Sequence, residues 1–470
     1  MSIGRVTVAF MTILAAGRFA PAANAGVGAA GTARTDFVII VADDLGQNDV
    51  GAYGNRHIHT PNIDRLARAG ERFDLAFLTC SSCSPSRCSI LTGRYPHATG
   101  AADLHVPLPP DQVTFVDELR RAGYYTASIG KWHLGYDAPR RFDRVVKDMN
   151  GSGADHWIEA LRDRPREKPF FFWLASNDPH RPFEEVRGYP PYDLADVVVP
   201  PFLPDVGETR SELALYYQRI SRLDDYVGRV LAELDAQAVA GRTFVLLLSD
   251  NGAPFPRSKV TLYDSGIATP FIVRYPGAVR PGSACRSLVS AVDIAPTVLE
   301  LAGRRPPPSI QGKSFVRLLS NPEAVVRERV FAEHNWHDFA ARERAVRSAR
   351  FKYIRNFYPD QPATPPLDEL RSATFQAMRR LRDLGRLPAR QMTCFIRPRP
   401  AEELYDVQAD PFEEKNLAEA PELARTLREL RADLAKWQKE TEDREPAQRR
   451  PDLFDRETGQ PLGGGALPRD

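Results

Sequence analysis

The chain reads as an α/β protein in which a sheet carries helices on both faces, followed by a smaller C-terminal α+β subdomain. Three observations predict this. Short apolar runs alternate with amphipathic stretches over most of the chain. Several of those runs end in a polar cluster, as at Asp43-Asp44, Asn177-Asp178-Pro179-His180 and Ser249-Asp250-Asn251-Gly252. Beyond about residue 325 the texture changes to closely spaced β-type runs.

Taken in order, residues 37–41 (Phe-Val-Ile-Ile-Val) are a short apolar run and predict a buried strand ending at Asp43-Asp44. Residues 61–69 predict a helix, and residues 116–122 another, followed by a strand over 125–129. Residues 169–174 are aromatic-rich and strand-like. Residues 208–235 have the amphipathic period of a long helix, and residues 243–248 are a nearly all-apolar strand, with a further strand over 270–273. Residues 330–333, 345–348 and 351–355 suggest a small antiparallel sheet, and Leu423, Leu427, Leu430 and Leu434 one packing helix. Ligands of open α/β sheets bind at the carboxyl ends of strands, so the polar clusters are expected to converge there. The resulting division is a leader over 1–25, a catalytic domain over 26–325, a subdomain over 326–445 and a mobile tail over 446–470, where Pro, Gly and charge dominate.

Composition narrows the class. Apolar and charged residues make up 43% and 26% of the chain, which fits a globular protein rather than a disordered one. The formal charge is only +2, and both charges of the first 25 residues are basic (Arg5, Arg18), so nothing points to nucleic-acid binding. Arg5, the apolar run Val6–Gly17 and the small-x-small triplet Ala23-Asn24-Ala25 have the order of a secretory leader, predicting a secreted or periplasmic protein, with a lysosomal-type one as the alternative. That run is short for a membrane span and no other stretch reaches about 18 apolar residues, so no stable span is expected. Five cysteines (Cys80, Cys83, Cys88, Cys285, Cys394) are too few for a disulfide scaffold, and pairing among those other than Cys83 stays open.

The chemistry concentrates in Cys83–Arg94, C-S-P-S-R-C-S-I-L-T-G-R. Pro85 suits the first turn of a helix and Gly93 its end, so Cys83 stands just before a helix N-terminus that favours anions. Arg87, four residues on, can reach back toward it. The plain alternative is a buried structural cysteine. Asp43-Asp44 and Asp250-Asn251 offer a hard, all-oxygen donor set suited to Ca2+ or Mg2+ rather than zinc; either pair alone could be a turn or a helix cap. Lys131 and His133 in Gly130–Gly135, His180 in Asp178-Pro179-His180, and Lys259 are the remaining candidates, since lysines bind oxyanions and histidines move protons near neutral pH. Each alone would be an ordinary surface residue, and Arg257 competes with Lys259.

Together these stretches resemble the type I sulfatases. Cys83–Arg94 matches C-x-P-S-R-x-x-x-L-T-G-R at every fixed position, Gly130–Gly135 matches G-K-x-H-x-G, and Asp178–His180 matches D-P-H. The resemblance implies an alkaline-phosphatase-like sulfatase fold with a large mixed sheet flanked by helices. It implies that a maturation enzyme oxidises Cys83 to formylglycine (3-oxoalanine), whose hydrate attacks sulfur and forms a covalent intermediate. It implies Ca2+, or Mg2+, held by Asp43, Asp44, Asp250, Asn251 and the modified Cys83. Arg87 and His133 would orient the diol, Lys131 and Lys259 grip sulfate oxygens, and His180 protonate the leaving group. Within the family, Ser81–Arg87, Ser249–Pro256 and Leu434–Gln438 look like the heparan N-sulfatase branch, which implies a sulfated saccharide substrate ending in N-sulfoglucosamine. Lys259 departs from that branch, which can carry Arg there, and this keeps an O-sulfatase acting on another sulfated glycan in play. A phosphodiester or phosphonate monoester hydrolase, or an inactive glycan-binding relative, would share most of the pattern. Asp178, Arg181, Glu333 and His334 follow strand ends and are candidates for sugar contacts or for plain loop residues. A homodimer is left open.

Overall fold

The computed structural model describes Met1, residues 34–135 and residues 141–463. The expected leader, Met1 apart, and residues 464–470 lie outside the described residues. In chain order the strands are β1 (Asp36–Ala42), β2 (Glu71–Phe73), β3 (Ala76–Phe77), β4 (Tyr125–Gly130), β5 (Arg144–Lys147), β6 (Phe170–Ala175), β7 (Thr243–Ser249), β8 (Phe271–Arg274), β9 (Ser283–Cys285), β10 (Val289–Ser290), β11 (Val330–His334), β12 (Glu343–Arg347), β13 (Phe351–Asn356) and β14 (Glu402–Asp406). The main sheet runs β5-β4-β6-β1-β7-β8-β2-β9. Strands β5, β4, β6, β1 and β7 are parallel to their neighbours in that group, and β8 is antiparallel to both β7 and β2.

Strand β1 explains why the sheet needs cover on both sides. All seven of its residues are buried. Val38, Ile40 and Ala42 join one core, with Ile63 and Leu66 of the helix Pro61–Ala69, Trp157 of the helix Trp157–Arg162, and Leu213, Ile220 and Val227 of the helix Gly207–Ala236. Phe37, Ile39 and Val41 join the other, with Ile90 and Leu91 of the helix Cys83–Thr92, Phe115 and Leu119 of the helix Phe115–Arg121, and Val298 of the helix Ile294–Leu301. Period-two alternation thus feeds two cores from one strand, and a continuous apolar run results.

The second sheet, β11-β12-β13-β14, is antiparallel throughout. The helix Ala424–Glu440 lays Leu427, Leu430, Leu434 and Trp437 on its Val346, Tyr353 and Leu404, as the leucine spacing predicts. Residues 446–463, the described part of the tail segment, pack onto the protein. Leu453 N donates to Asp338 O at 2.9 Å and Trp336 Nε1 to Pro451 O at 2.8 Å. Phe454 is buried, and the Arg450 guanidinium lies 3.8 Å from the centre of the Trp336 ring. A polar composition concealed one aromatic anchor and arginines that find rings and carbonyls.

Asp443 clamps the end of that last helix to the second sheet. It accepts from Arg344 Nε at 2.7 Å and Nη2 at 2.8 Å, and from Gln438 Nε2 at 2.9 Å, with its side chain fully buried. Burial pushes its carboxyl up, but the Arg344 guanidinium outweighs that and holds it down to about 2, against 3.8 for a free aspartate. A depressed carboxyl stabilises the fold above the unfolded value and loses that contribution as pH falls through the folded one. Asp443→Asn is therefore expected to cost on the order of 2 kcal/mol at pH 7, shrinking as pH falls from about 4 toward 2. Denaturant midpoints across that range check it; a pH-independent difference contradicts the ion-pair account.

Candidate active site

Four adjacent strands, β4, β6, β1 and β7, deliver their carboxyl ends to one place. Asp43 and Asp44 follow β1, Lys131 and His133 follow β4, Asp178 and His180 follow β6, and Asp250 and Asn251 follow β7. Backbone bonds continue past the strands and pin these turns: Asp43 N donates to Asp178 O at 3.0 Å, Asp250 N to Ala42 O at 3.1 Å and Lys131 N to Ala175 O at 3.0 Å. Gly130 makes the β4 turn possible, because its φ is +105° and a Cβ there would fall 1.8 Å from Ala175 O.

The helix Cys83–Thr92 supplies the remaining groups, and all ten of its residues are buried. Ser82 precedes it in extended backbone, and Gly93 ends it in the left-handed region at φ 65°. Asn251 Nδ2 donates to the Cys83 sulfur at 3.3 Å, and Asp43 Oδ1 lies 3.9 Å from that sulfur. Burial raises the thiol, but Lys131, Lys259, His133 and His180 outweigh it and hold Cys83 well below the usual thiol range. Arg87, fully buried, donates to Asp250 Oδ2 from Nε at 2.8 Å, with Nη2 at 2.7 Å from the same oxygen and 3.7 Å from Asp43 Oδ1. Removing one partner of such a pair strands a buried charge, at a cost of about 3–5 kcal/mol.

The two lysines each take one carboxylate. Lys131 Nζ donates to Asp43 Oδ2 at 2.5 Å and Lys259 Nζ to Asp44 Oδ2 at 2.7 Å. Arg257 donates instead to Glu413 O at 2.6 Å and lies 4.0 Å from the centre of the Tyr263 ring, so Lys259 rather than Arg257 faces the site. His180 turns Nδ1 to Arg181 O at 2.5 Å and Nε2 to Asp44 Oδ2 at 3.6 Å. Burial and Lys259 lower the imidazole, but Asp43 and Asp44 win and raise it to about 9. A cleft of about 400 Å³ opens beside Asp43, Lys131 and His180.

These groups match a known pattern along most of the chain. The sulfatase family model matches residues 35–304. This chain belongs to the sulfatase family. A second model, that of the N-sulphoglucosamine sulphohydrolase C-terminal region, matches residues 257–368. The chain is 33% identical to the N-sulphoglucosamine sulphohydrolase of Homo sapiens, covering 86% of this chain and 90% of that protein. It is 32% identical to an ulvan-active sulfatase of Formosa agariphila, covering 86% of this chain and 74% of that one. A solved structure described as in complex with its substrate D-glucosamine-2-N,6-O-disulfate shares the fold, with TM-score 0.69 and 23% identity over 88% of this chain and 99% of that one. The alkaline-phosphatase-like sulfatase fold stands as the motifs implied, and this sulfatase is a sulfuric ester hydrolase.

Not every sugar candidate faces the cleft of this sulfatase. Asp178 is fully buried and accepts from Arg222 Nε at 2.6 Å, Arg222 Nη2 at 2.7 Å and Arg219 Nη1 at 3.3 Å, all from the long helix. Arg181 is forked onto Glu212 at 2.9 and 3.0 Å. Glu333 accepts from His97 N at 2.6 Å and faces His97 Nδ1 at 2.7 Å. His334 is buried, with Glu343 Oε1 at 3.8 Å. Arg181 still lines the cleft, whereas Asp178 turns to the long helix and Glu333 lies within β11 facing His97. Sequence reasoning also missed partners: His105 Nδ1 stands 3.0 Å from His133 Nε2, Ser82 Oγ stands 2.8 Å from His337 Nδ1, and Asp368 Oδ2 lies 4.0 Å from His180 Nε2. The sequence neighbourhoods of His105, His337 and Asp368 carried no motif. All five cysteines are free and buried.

The family implies a divalent cation, and the residues fit one. Ligand atoms of Asp43, Asp44, Cys83 and His180 lie within 4.8 Å of one another. Asn251 Nδ2 donates to Asp44 Oδ1 and Asp250 Oδ1, each at 2.9 Å, while its own buried Oδ1 has no hydrogen-bond partner among the described residues. Half a turn of that amide would exchange donor for acceptor and complete an all-oxygen set. Burial raises Asp44 to about 6 and Asp250 to about 8, a load that a cation would relieve. Saturating Ca2+ should raise Tm by several degrees, and Asp44→Asn should remove most of that rise. Calorimetry with and without chelator tests this, and an unchanged Tm in wild-type protein rules the site out.

Proposed function

We propose that this sulfatase releases sulfate from N-sulfoglucosamine residues of heparin- or heparan-type glycans. The carrying observation is the placement of Cys83, flanked by Lys131 and Lys259 through Asp43 and Asp44, with His180 Nε2 beside them. Similarity to the human N-sulphoglucosamine sulphohydrolase over 90% of its length supports the choice of sugar. Oxidised to formylglycine and hydrated, Cys83 would supply the oxygen that attacks sulfur, and Ca2+ held by Asp43, Asp44, Asp250 and Asn251 would polarise the sulfo group.

The rest is work for this chain's own side chains. Lys131 and Lys259 stay charged, since burial is outweighed by Asp43 for the first and Asp44 for the second, and they offset the charge on sulfate oxygens. Arg87 locks Asp250 in place and stands near Asp43. His133 lies against Cys83, with His105 behind it. The Arg181 carbonyl can only accept, so Nδ1 of His180 carries a hydrogen and Nε2 is the atom that holds and gives up a proton. As the S–N bond breaks, that proton passes to the leaving nitrogen. Lys259 and the similarity to the ulvan-active sulfatase favour, as the second reading, an O-sulfatase on another glycan. The leader-like residues 1–25 support export, and among the described residues no helix is long and apolar enough to cross a membrane.

The tryptic peptide Phe73–Arg87 should weigh about 18 Da less than its cysteine form. Protein confirmed in this way should release sulfate from N-sulfoglucosamine and not from glucosamine 6-sulfate. The opposite preference selects the O-sulfatase reading, and release from neither directs the search to other sulfated glycans and to phosphate or phosphonate esters. His180→Ala should slow the sulfamate by about 100-fold or more, and an activated aryl sulfate much less, because only the poor leaving group needs the proton. Equal losses would remove His180 from that role.

A further inference from the structure

Asp368 was not among the candidates, yet it faces the atom at which the leaving group must be protonated. It lies in the short helix Leu367–Leu370, whose Leu367 N is held by Asp338 Oδ2 at 3.0 Å. Asp368 Oδ1 accepts from Glu369 N at 2.9 Å. Its Oδ2 points to His180 Nε2 at 4.0 Å and, among the described residues, accepts no hydrogen bond. The side chain is 37% exposed, whereas Asp44, the other carboxylate at that nitrogen, is fully buried. Asp44 is in direct contact with Lys259 and belongs to the metal-ligand group; Asp368 feels the charge of Lys259 but makes no ion pair with it, and solvent or a substrate can reach it.

We infer that Asp368 is a specificity-determining residue that accepts a hydrogen bond from the hydroxyl next to the scissile group. On the reading proposed above, on which this rests, that hydroxyl is the 3-hydroxyl of N-sulfoglucosamine. The leaving nitrogen must approach His180 Nε2 to about 3 Å to take its proton. A hydroxyl on the adjacent ring carbon is then carried into the reach of Asp368 Oδ2, 4.0 Å from the same nitrogen. The scissile sulfate has its cations in Lys131 and Lys259. A second sulfate at the neighbouring carbon would instead meet a carboxylate, and like charges at that range are rejected. The device therefore accepts a free hydroxyl and excludes a vicinal sulfate.

The test is a cycle on formylglycine-bearing enzyme: wild type, Asp368→Ala and Asp368→Asn against N-sulfoglucosamine, its 3-deoxy analogue, the 3-O-sulfated sugar and 4-nitrophenyl sulfate. In wild type, kcat/KM for the 3-deoxy sugar should be lower by about tenfold or more, the value of a hydrogen bond to a charged group. In Asp368→Ala the two sugars should become nearly equal, and the ratio of sugar to aryl sulfate should fall by a similar factor. Asp368→Asn, nearly identical in shape, should narrow the discrimination against the 3-O-sulfated sugar. If the 3-deoxy penalty survives in both variants, or if sugar and aryl sulfate lose equally, Asp368 acts through His180 or the fold and the inference is overturned. If wild-type enzyme cleaves the aryl sulfate but not N-sulfoglucosamine, the substrate reading fails and takes the inference with it; cleavage of both sugars with no penalty sinks the inference alone.

Discussion

The parallel pairing of β1 between β6 and β7 is the constraint on which everything else depends. Its register, Val41 opposite Ala175 on one side and Leu248 on the other, brings three strand ends level. β4 joins through Gly130 opposite Ala175. Carboxylates, a lysine and two histidines from segments up to about two hundred residues apart meet because a buried sheet cannot slip by a residue without turning its apolar side chains out of both cores. Hydrophobic burial, which knows nothing of sulfate, sets the positions of the charges.

That placement costs free energy locally. Asp44 (φ 71°), His105 (φ 62°), His133 (φ 47°) and Val260 (φ 58°) all sit in left-handed backbone, a cost of about 1–3 kcal/mol each for residues other than glycine. Valine, β-branched, pays most for that conformation. All four lie in or beside the site. Asp44 is held by its pair with Lys259, Val260 by its N–H donating to Ser81 O at 3.0 Å, and His105 and His133 by each other's ring nitrogens at 3.0 Å. The site is a place where the chain is held against its preference, as expected where reacting geometry matters more than stability.

Most of the main sheet was legible from sequence because fully buried strands leave unbroken apolar runs. The helix Cys83–Thr92 was legible because Pro85 and Gly93 punctuate it. β2, β5 and β9 were not: they have only three, four and three residues at or near the sheet edge, with mixed burial. Within the site, the residues carried by motifs meet around Cys83. Asp178, although part of the D-P-H match, does not, because periodicity reports which face of a strand is buried but says nothing about where a side chain beyond its end turns. Asp368 was invisible for the converse reason: it enters from a distant four-residue helix whose place is set by tertiary packing alone.

The helix Gly207–Ala236 looks like scaffolding, since its buried face feeds the core behind β1. Yet Glu212 holds Arg181, whose carbonyl fixes the ring of His180, and Arg219 and Arg222 hold Asp178 two residues before it. The turn bearing His180 therefore hangs from three charged positions spread over about three helical turns. Tolerance to substitution along this helix should follow two superposed rhythms, one set by hydrophobic packing and one by the reaction. Glu212, Arg219 and Arg222 would then behave in inheritance as members of the active site while lying outside every signature by which such enzymes are recognised.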